Sequence, residues 1–426
     1  MRFDQALADL EARQPERMVP DLQRITAVAG LLDDPQLTYP TIHITGTNGK
    51  TTTARLITAL ACAHGLTAGL YTSPHLRSVT ERLAVCDEPI GEAEFADEYA
   101  HLLPVLEAVD ARGERVTYFE ALTALAYLWF ADKPVGVGVF EVGMGGAWDA
   151  TNLVAGDVAV LCPIALDHPE LGSTIEEVAT EKAGIIKPGK TVACREQPAD
   201  ALAVIRDRCE EYEATLLLEG RDFELVRRAT AVAGQQLVAR GLHATYDDLF
   251  LPLFGEHAAR NAAAAVVATE AFLGRGLSAE ATRAAFASAT SPGRLEVVGR
   301  HPLIVLDGAH NPAGAAALSA SLRESFTWER LHLVLSVSAN KDVAGIVAQL
   351  APLADDAYAA RNESERSSSS AAVTAALEAA GVPTTDAETV DRAMAVARAA
   401  AGEDDLILVT GSLYTVADAR RLLEEP

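Results

Sequence analysis

A lysine and several hydroxyl side chains follow a glycine turn near the start of the chain. Residues 41–44 form an apolar run typical of a buried strand, and the loop 46–51 (GTNGKT) leads from it into a helix-like segment. In such a loop, backbone N–H groups and the helix N-terminus attract phosphate, and the lysine neutralises β/γ-phosphate charge. The hydroxyl after the lysine can reach Mg²⁺. The loop therefore predicts binding of ATP, in preference to a turn whose glycines only relieve backbone strain.

Three other polar side chains stand at the ends of apolar runs. Ser73, Glu141 and His168 each come where a strand-like run ends. Ligands of open α/β sheets bind at the carboxyl ends of the strands, so these side chains are candidates for holding a metal–nucleotide complex. Simpler roles stay open for them: a turn residue, a carboxylate that caps a glycine loop and a buried structural histidine, respectively.

Three further candidates each allow two interpretations. Lys182 lies in an apolar helical context, where burial can remove the proton of an amine. From the residues alone, however, a helix lysine that extends to solvent beside acidic neighbours is favoured. Asp307 could contact ribose hydroxyls, although an ordinary capped turn would look the same and is preferred on sequence alone. Arg294 could reach a γ-phosphate or form a surface ion pair.

The alternation of strand-like and helical segments predicts the fold class. It runs from residue 41 to 218 and favours an α/β architecture, with a doubly wound, mostly parallel sheet that carries the phosphate loop. Short strand-like runs between residues 223 and 253 predict a small antiparallel addition. After a hinge at residues 290–294 the alternation restarts, which predicts a smaller, Rossmann-like α/β C-terminal domain. We expect an ATP-binding domain at 1–292 and a C-terminal domain at 293–426. The strands predicted in the C-terminal domain are 302–307, 331–337, 355–360 and 405–410.

The composition restricts the partners and the compartment. With 60 acidic and 35 basic residues the formal net charge is −25, which disfavours nucleic acids and anionic membranes because the summed field repels phosphate. Five scattered cysteines without a CxxC pair predict free thiols and no zinc site. The sequence has no signal-peptide core and no apolar run of membrane-spanning length. We therefore expect a cytoplasmic protein.

Taken together, the motifs resemble those of a known family. The chain is similar to the bifunctional dihydrofolate synthase/folylpolyglutamate synthases of the Mur-ligase superfamily, and the similarity extends over nearly its whole length. The runs that carry the resemblance are GTNGKTT at 46–52, TSPH at 72–75, TYFE at 117–120, EVGMGG at 141–146, DATN at 149–152, LDH at 166–168, EKAGIIK at 181–187, SPGR at 291–294, DGAHNP at 307–312 and GSLYTV at 411–416.

The resemblance implies an ATP-dependent amide-forming ligase. Enzymes of this kind phosphorylate the carboxylate of 7,8-dihydropteroate or of a tetrahydrofolate, and the amine of L-glutamate then attacks the acyl phosphate. The implied cofactors are ATP, two Mg²⁺ ions and a carbamylated lysine at Lys182, with room for a monovalent cation. The implied partners are these small molecules alone, without nucleic acid or membrane, and a monomer is expected.

The resemblance also assigns roles to positions of this sequence, and it reverses the solvent-exposed interpretation of Lys182. The implied nucleotide contacts are Thr47, Asn48, Gly49, Lys50, Thr51, Asn261, Arg294 and Asp307. The implied metal ligands are Ser73, Glu141, His168 and Lys182 as its carbamate. The implied catalytic groups are Lys50, Lys182, His168 and Arg294. The implied substrate contacts are Val19, Pro20, Asp21, Thr117, Tyr118, Phe119, Glu120, Trp148, Asp149 and Ala150, with His310 and Ser412 near the glutamate.

Some positions depart from the family pattern. Ala147 stands where the family usually has arginine, the segment after His168 is one residue short, and Asn340 replaces a usual aspartate. These departures leave open a Mur-type amino-acid ligase that acts on a carboxylate other than a folate. A third hypothesis is a nucleotide-binding regulator without catalytic activity.

Overall fold

The phosphate loop follows the central strand of a large sheet. A computed structural model describes residues 1–15, 20–113 and 115–424, so Val19 lies outside the described residues. The strands of this sheet are β1 (Thr41–Thr45), β2 (Ala68–Tyr71), β3 (Leu83–Val85), β4 (Glu88–Pro89), β5 (Val137–Glu141), β6 (Val158–Leu161), β7 (Thr191–Cys194) and β8 (Thr215–Leu218). Their order is β4-β3-β2-β5-β1-β6-β7-β8. All pairs are parallel except β2–β3 and β3–β4, which confirms the predicted mostly parallel sheet.

Strand β1 is buried along its whole length, as expected for a central strand of a parallel sheet. Its polar side chains are hydrogen-bonded, which offsets the cost of burying them. The hydroxyl of Thr45 donates to the carbonyl of Gly145 at 2.7 Å, and the ring of His43 contacts the hydroxyl of Thr151 at 2.8 Å. These bonds fix the end of β1 against the loop that follows β5.

Helices cover both faces of this sheet. Because neighbouring residues in register point to the same face, Tyr71, Phe140, Ala159 and Val192 share one face, which is covered by two apolar clusters. Helix α3, which begins at the phosphate loop, packs against β1, β2 and β5. The helices up to residue 289 are α1 (Phe3–Glu11), α2 (Gln23–Leu31), α3 (Lys50–Ala63), α4 (Glu92–Asp110), α5 (Tyr118–Asp132), α6 (Ile175–Lys182), α7 (Ala199–Glu211), α8 (Glu256–Leu273) and α9 (Ala279–Ala287).

A disulfide joins Cys62 of α3 to Cys86, directly after β3. The prediction that all five cysteines are free thiols is therefore wrong for this pair, whereas Cys162, Cys194 and Cys209 are free and buried. Pairing of β3 with β2 accounts for the contact, since the N–H of Cys86 donates to the carbonyl of Ala68 at 2.9 Å. The bond ties the helix of the phosphate loop to the edge of the sheet.

We expect removal of this disulfide to lower stability. The bond spans 24 residues, and closing a loop of that size stabilises a fold by roughly 3 kcal/mol in the chain-entropy model. The double variant Cys62→Ser/Cys86→Ser should therefore unfold at a lower temperature than the oxidised wild type. A reductant should lower the unfolding temperature of the wild type and leave that of the double variant unchanged. Titration of five free thiols in the unreduced wild type would contradict the pairing.

The chain divides into two compact units. The first comprises residues 1–227, 237–250 and 260–289, and the second comprises residues 228–236, 251–259 and 290–426. A separate three-stranded sheet, in the order β11-β10-β9, is formed by β9 (Glu224–Ala231), β10 (Gly234–Arg240) and β11 (Thr245–Leu251). None of the described helices is long and apolar enough to cross a membrane.

A six-stranded sheet forms the core of the second unit. Its order is β12-β13-β17-β14-β15-β16, and all pairs are parallel except β12–β13. The strands are β12 (Glu296–Arg300), β13 (Leu303–Leu306), β14 (Leu331–Leu335), β15 (Asp356–Arg361), β16 (Thr384–Thr389) and β17 (Leu406–Thr410). The helices are α10 (Pro312–Ser325), α11 (Val343–Leu350), α12 (Ser370–Ala379), α13 (Val390–Ala400) and α14 (Leu413–Glu424).

Candidate active site

The backbone of the phosphate loop is preformed between β1 and α3. Gly46 and Gly49 have φ angles of 145° and 91°, which favour glycine. A Cβ on Gly46 would lie 2.5 Å from the Cβ of Cys162, so no other residue fits there without displacement. The hydroxyl of Thr47 donates to the carbonyl of Ala165 at 2.9 Å and accepts from its N–H at the same distance. The loop is therefore attached to the segment that follows β6.

Two lysine amines meet at one carbonyl oxygen of this loop. Lys50 and Lys182 each donate from Nζ to the carbonyl of Gly46 at 3.0 Å. Lys182 is only 4% exposed, so the interpretation of Lys182 as a solvent-exposed helix residue is wrong. Burial, together with the charge of Lys50, lowers the pKa of the Lys182 amine to about 7. A large fraction of this amine is consequently neutral and nucleophilic near neutral pH.

Three of the oxygen donors predicted for the metal–nucleotide complex lie together. The hydroxyl of Thr51 donates to Oε1 of Glu141 at 2.8 Å, and the N–H of Ser73 donates to Oε2 at 3.3 Å. Glu141 is 2% exposed and stands at the carboxyl end of β5. Hydroxyl and carboxylate oxygens are the donors that Mg²⁺ prefers, so this set fits that ion.

His168 lies on the loop after β6, beside a buried carboxylate. Its Nε2 is 3.3 Å from Oδ2 of Asp167, and its Nδ1 is 3.9 Å from Oε2 of Glu170. The His168 side chain is about one-third exposed. Within the described part of the chain, no three His, Cys, Asp or Glu side chains form a ready-made metal cluster. Hydroxyl groups, nucleotide oxygen atoms and water are the further ligands that could complete a Mg²⁺ site here.

A buried arginine holds the carboxamide of Asn261 against the phosphate loop. Nη1 of Arg195 donates to Oδ1 of Asn261, and its Nε donates to Oε2 of Glu219 at 2.9 Å. The Asn261 amide is packed against Gly49, whose Cβ, if present, would lie 2.9 Å from Oδ1. The hydrogen bond from Arg195 fixes the orientation of the Asn261 amide beside the loop. Arg195 was not among the residues predicted from the sequence, although it directly follows β7 and so lies at a strand end, as Glu141 does.

We expect Arg195→Gln to raise the KM for ATP about tenfold or more, because a charged hydrogen bond of 1.5–3 kcal/mol orients Asn261. The matched control is Arg260→Gln. Arg260 also donates to Glu219, at 2.7 Å, so this control removes a comparable ion pair of Glu219. Steady-state kinetics with ATP as the varied substrate measure the effect. Equal KM values for the two variants would show that Arg195 has no positioning role.

The residues predicted to contact the acceptor substrate include several with clear structural partners. Glu120 forms a buried ion pair with Arg24 at 3.0 Å and a reciprocal cap with Thr117 at the start of α5. Oδ2 of Asp149 accepts from the N–H of Met144 at 2.9 Å, and Oδ1 accepts from the hydroxyl of Thr151 at 2.5 Å. Burial raises the pKa of the Asp149 carboxyl despite these hydrogen bonds.

Apolar side chains from the same set lie beside the metal candidates. The ring of Phe119 packs against Gly143, two residues after Glu141, and lies 6.0 Å from the ring of Tyr71. The carbonyl of Ala150 accepts from the hydroxyl of Tyr127 at 2.7 Å. The N–H of Trp148 donates to Glu181, and the ring of Tyr118 lies under the guanidinium of Arg82. Asp21 accepts from the N–H of Gln23, and Pro20 is exposed.

The predicted residues of the second unit lie at the carboxyl ends of β13 and β17, which are parallel neighbours. Asp307 follows β13, and its carboxylate accepts from the N–H groups of Leu295 and Ala309 at 2.8 Å each. Burial raises the pKa of Asp307, and the charge of Arg294 opposes this shift. His310 Nδ1 lies 2.8 Å from the carbonyl of Gly308. Ser412, which is 5% exposed, follows β17 and accepts from the N–H of Tyr414.

The architecture and the loop sequence match known proteins. Models of the Mur ligase middle domain and of the Mur ligase, glutamate ligase domain match residues 44–269 and 293–413. The dihydrofolate synthase/folylpolyglutamate synthase of Mycobacterium tuberculosis is 41% identical, over 97% of this chain and 92% of its own. The chain belongs to the dihydrofolate synthase/folylpolyglutamate synthase family. The family member from Escherichia coli K12 is 34% identical, over 95% of this chain and 91% of its own.

Solved structures of this family have the same fold. The Mycobacterium tuberculosis folylpolyglutamate synthase complexed with ADP has a TM-score of 0.95 at 39% identity and covers 100% of this chain and 98% of its own. An FPGS–AMPPCP–folate complex has a TM-score of 0.89 at 30% identity, with both chains fully covered. E. coli FolC in complex with DHPP and ADP has a TM-score of 0.88 at 32% identity and covers 100% of this chain and 98% of its own. The resemblance drawn from the sequence motifs is confirmed.

Proposed function

We propose that this chain is an ATP-dependent ligase that adds L-glutamate to 7,8-dihydropteroate, to a tetrahydrofolate or to both, through an acyl phosphate. The observation that carries the proposal is the placement of Lys50, Lys182, Thr51, Ser73 and Glu141 around one preformed phosphate loop. Family membership supports a folate acceptor over some other carboxylate, because relatives named dihydrofolate synthase/folylpolyglutamate synthase, and solved structures of such enzymes, align with nearly the whole chain.

Different residues of the proposed site bind the triphosphate, the rest of the nucleotide, the acceptor and the glutamate. Lys50 and the N–H groups of the loop hold the triphosphate, while Asn261, Arg294 and Asp307 hold the rest of the nucleotide. Residues 117–120 and 148–150, with Pro20 and Asp21, form the proposed contacts to the pterin-bearing acceptor. His310 and Ser412 bind the incoming glutamate. The proposed boundary between the ATP-binding and C-terminal domains is at residues 292–293.

Mg²⁺ would be held by Ser73 and Glu141, and a second ion by His168 and Lys182 in its carbamylated form. When bound, these ions offset the charge that develops on the transferred phosphate. The burial and lowered pKa of Lys182 support its carbamylation, since only the neutral amine reacts with CO₂. A monovalent cation is compatible with the same site. We also propose a monomer in the cytoplasm, although the Cys62–Cys86 disulfide is unusual for that compartment.

Glutamate-dependent release of ADP tests the proposal. The purified chain is incubated with Mg·ATP, L-glutamate and one acceptor at a time: 7,8-dihydropteroate, a tetrahydrofolate or a UDP-muramyl substrate. We expect ADP release with one or both pterin acceptors and none with the muramyl substrate. Turnover of the muramyl substrate alone would favour the Mur-type alternative. Absence of turnover with every acceptor would favour a nucleotide-binding regulator.

A further inference from the structure

Arg82 is buried, and no carboxylate among the described residues forms an ion pair with it. It ends the short helical turn Val79–Arg82 before β3 and is only 8% exposed. Its Nε donates to Nδ1 of His75 at 2.9 Å, and its guanidinium carbon lies 5.3 Å from the centre of the Tyr118 ring. The ion pairs formed within the described ranges 1–15, 20–113 and 115–424 do not include Arg82. Such burial of an arginine normally comes with a paired anion.

The acidic residue that precedes Arg82 in the sequence, Glu81, is hydrogen-bonded to other groups. Glu81 accepts from the backbone N–H groups of Leu76, Arg77 and Ser78 at 2.9, 3.0 and 3.1 Å, and this closes the turn after the cis peptide Ser73–Pro74. A bond to a neutral imidazole and contact with a phenol ring compensate only part of the cost of burying a guanidinium. The planar fork of the guanidinium is suited to two parallel hydrogen bonds to one carboxylate.

The neighbours of Arg82 indicate which carboxylate it could bind. His75 lies two residues after Ser73, a candidate metal ligand, and Tyr118 directly precedes Phe119, whose ring packs against the loop after Glu141. Arg82 therefore contacts one side chain from the segment that carries a candidate metal ligand and one from the segment of the proposed acceptor contacts. In the reaction of the proposed function, the group that must lie between these two places is the carboxylate of the acceptor.

We propose that Arg82 binds the reacting carboxylate of the acceptor and aims it at the γ-phosphate. This inference rests on the proposed function. The reacting group is the benzoate carboxylate in 7,8-dihydropteroate and a carboxylate of the attached glutamate in a tetrahydrofolate, whose benzoyl group is already an amide. Arg82 binds the carboxylate that reacts in each case. The guanidinium would hold the carboxylate nucleophile through hydrogen bonds and charge, without taking part in a proton transfer. A ligand that has the pterin and aniline rings but lacks the carboxylate should gain nothing from Arg82.

A binding experiment on the full chain with two ligands tests this contact. The first ligand is 7,8-dihydropteroate and the second is its analogue without the carboxylate, each titrated by calorimetry. We expect Arg82→Gln to weaken 7,8-dihydropteroate at least tenfold and to leave the affinity of the analogue unchanged. Binding of the analogue also shows that the pocket of the variant is folded. Arg82→Lys, which keeps the charge without the fork, should lose less affinity than Arg82→Gln.

Kinetics give a second readout with a matched control. Arg82→Gln should raise the KM of both acceptors and leave the KM of ATP unchanged, while Arg77→Gln, on the exposed side of the same turn, should change neither. Equal weakening of both ligands by Arg82→Gln would make the residue structural and overturn the proposal. A rise in KM for tetrahydrofolate alone would also overturn it, because the carboxylate of 7,8-dihydropteroate would then be held by another group. If wild type uses neither 7,8-dihydropteroate nor a tetrahydrofolate, the proposed function itself is refuted.

Discussion

Replacing Lys50 with alanine should reduce glutamate-dependent ADP release by on the order of 10³-fold, the scale of losing one charge-stabilising donor at a phosphate or oxyanion. The Lys50 amine is the mobile positive charge of the loop and donates to the carbonyls of Gly46 and Thr47 at 3.0 and 3.4 Å. It can leave these neutral acceptors for a triphosphate at little cost. The loss should appear mainly in kcat, because the γ-phosphate gains its charge in the transition state.

The variant should keep its fold. The carbonyl of Gly46 still accepts from Lys182 when Lys50 is removed, so the closer of the two carbonyls that Lys50 contacts keeps a donor. The matched control is Lys133→Ala, which removes an exposed lysine that pairs with Glu94 outside the site, and its activity should equal that of wild type. Turnover of Lys50→Ala within tenfold of wild type, with an unchanged unfolding temperature, would mean that the loop does not hold the triphosphate.

The sequence predicts the positions of those site residues that a single turn or a single strand places. Glycines 46 and 49, the lysine after them and Glu141 are positioned by a turn and by a strand, both of which the apolar pattern indicates directly. Gly46 has a positive φ and no room for a Cβ, which is why the motif could be read from the sequence. The six-stranded sheet of the second unit was predicted only in part. Both of its edge strands, β12 and β16, were missed, and in β16 four of the six residues are exposed and polar.

The features that the sequence did not predict depend on contacts between different elements of the chain. The disulfide of Cys62 with Cys86 depends on antiparallel pairing of β3 with β2, which spacing alone did not indicate. The burial of Lys182 depends on the return of α6 to the phosphate loop, 136 residues away in sequence. Arg82 was overlooked for the same reason, since its neighbours His75 and Tyr118 come from different elements. A periodic pattern gives burial along one element, and it does not identify which elements meet.

Replacing Lys182 with alanine should lower kcat by at least about 10²-fold, because a group that organises metal and phosphate is lost. We expect small carboxylates such as acetate to restore part of the activity, since they supply the oxygen atoms of the missing carbamate. Lys187→Ala is the matched control. Lys187 is another partly buried lysine, and its amine donates to Asn152 at 2.9 Å, outside the proposed site. Acetate should not stimulate this control or the wild type.

The pH dependence of carbamylation provides an independent measurement at the same residue. Burial disfavours the charged form, so the Lys182 amine with a pKa of about 7 is neutral in about a tenth of molecules at pH 6 and about nine-tenths at pH 8. Because CO₂ adds to the neutral amine, incorporation of ¹³CO₂ should rise with pH through 7, and activity in CO₂-depleted buffer should recover faster at pH 8 than at pH 6. The labelled carbamate should be absent from Lys182→Ala and present in Lys187→Ala. Full activity in wild-type protein that contains no detectable carbamate would show that Lys182 acts as a free amine, and acetate should then fail to restore the activity of Lys182→Ala.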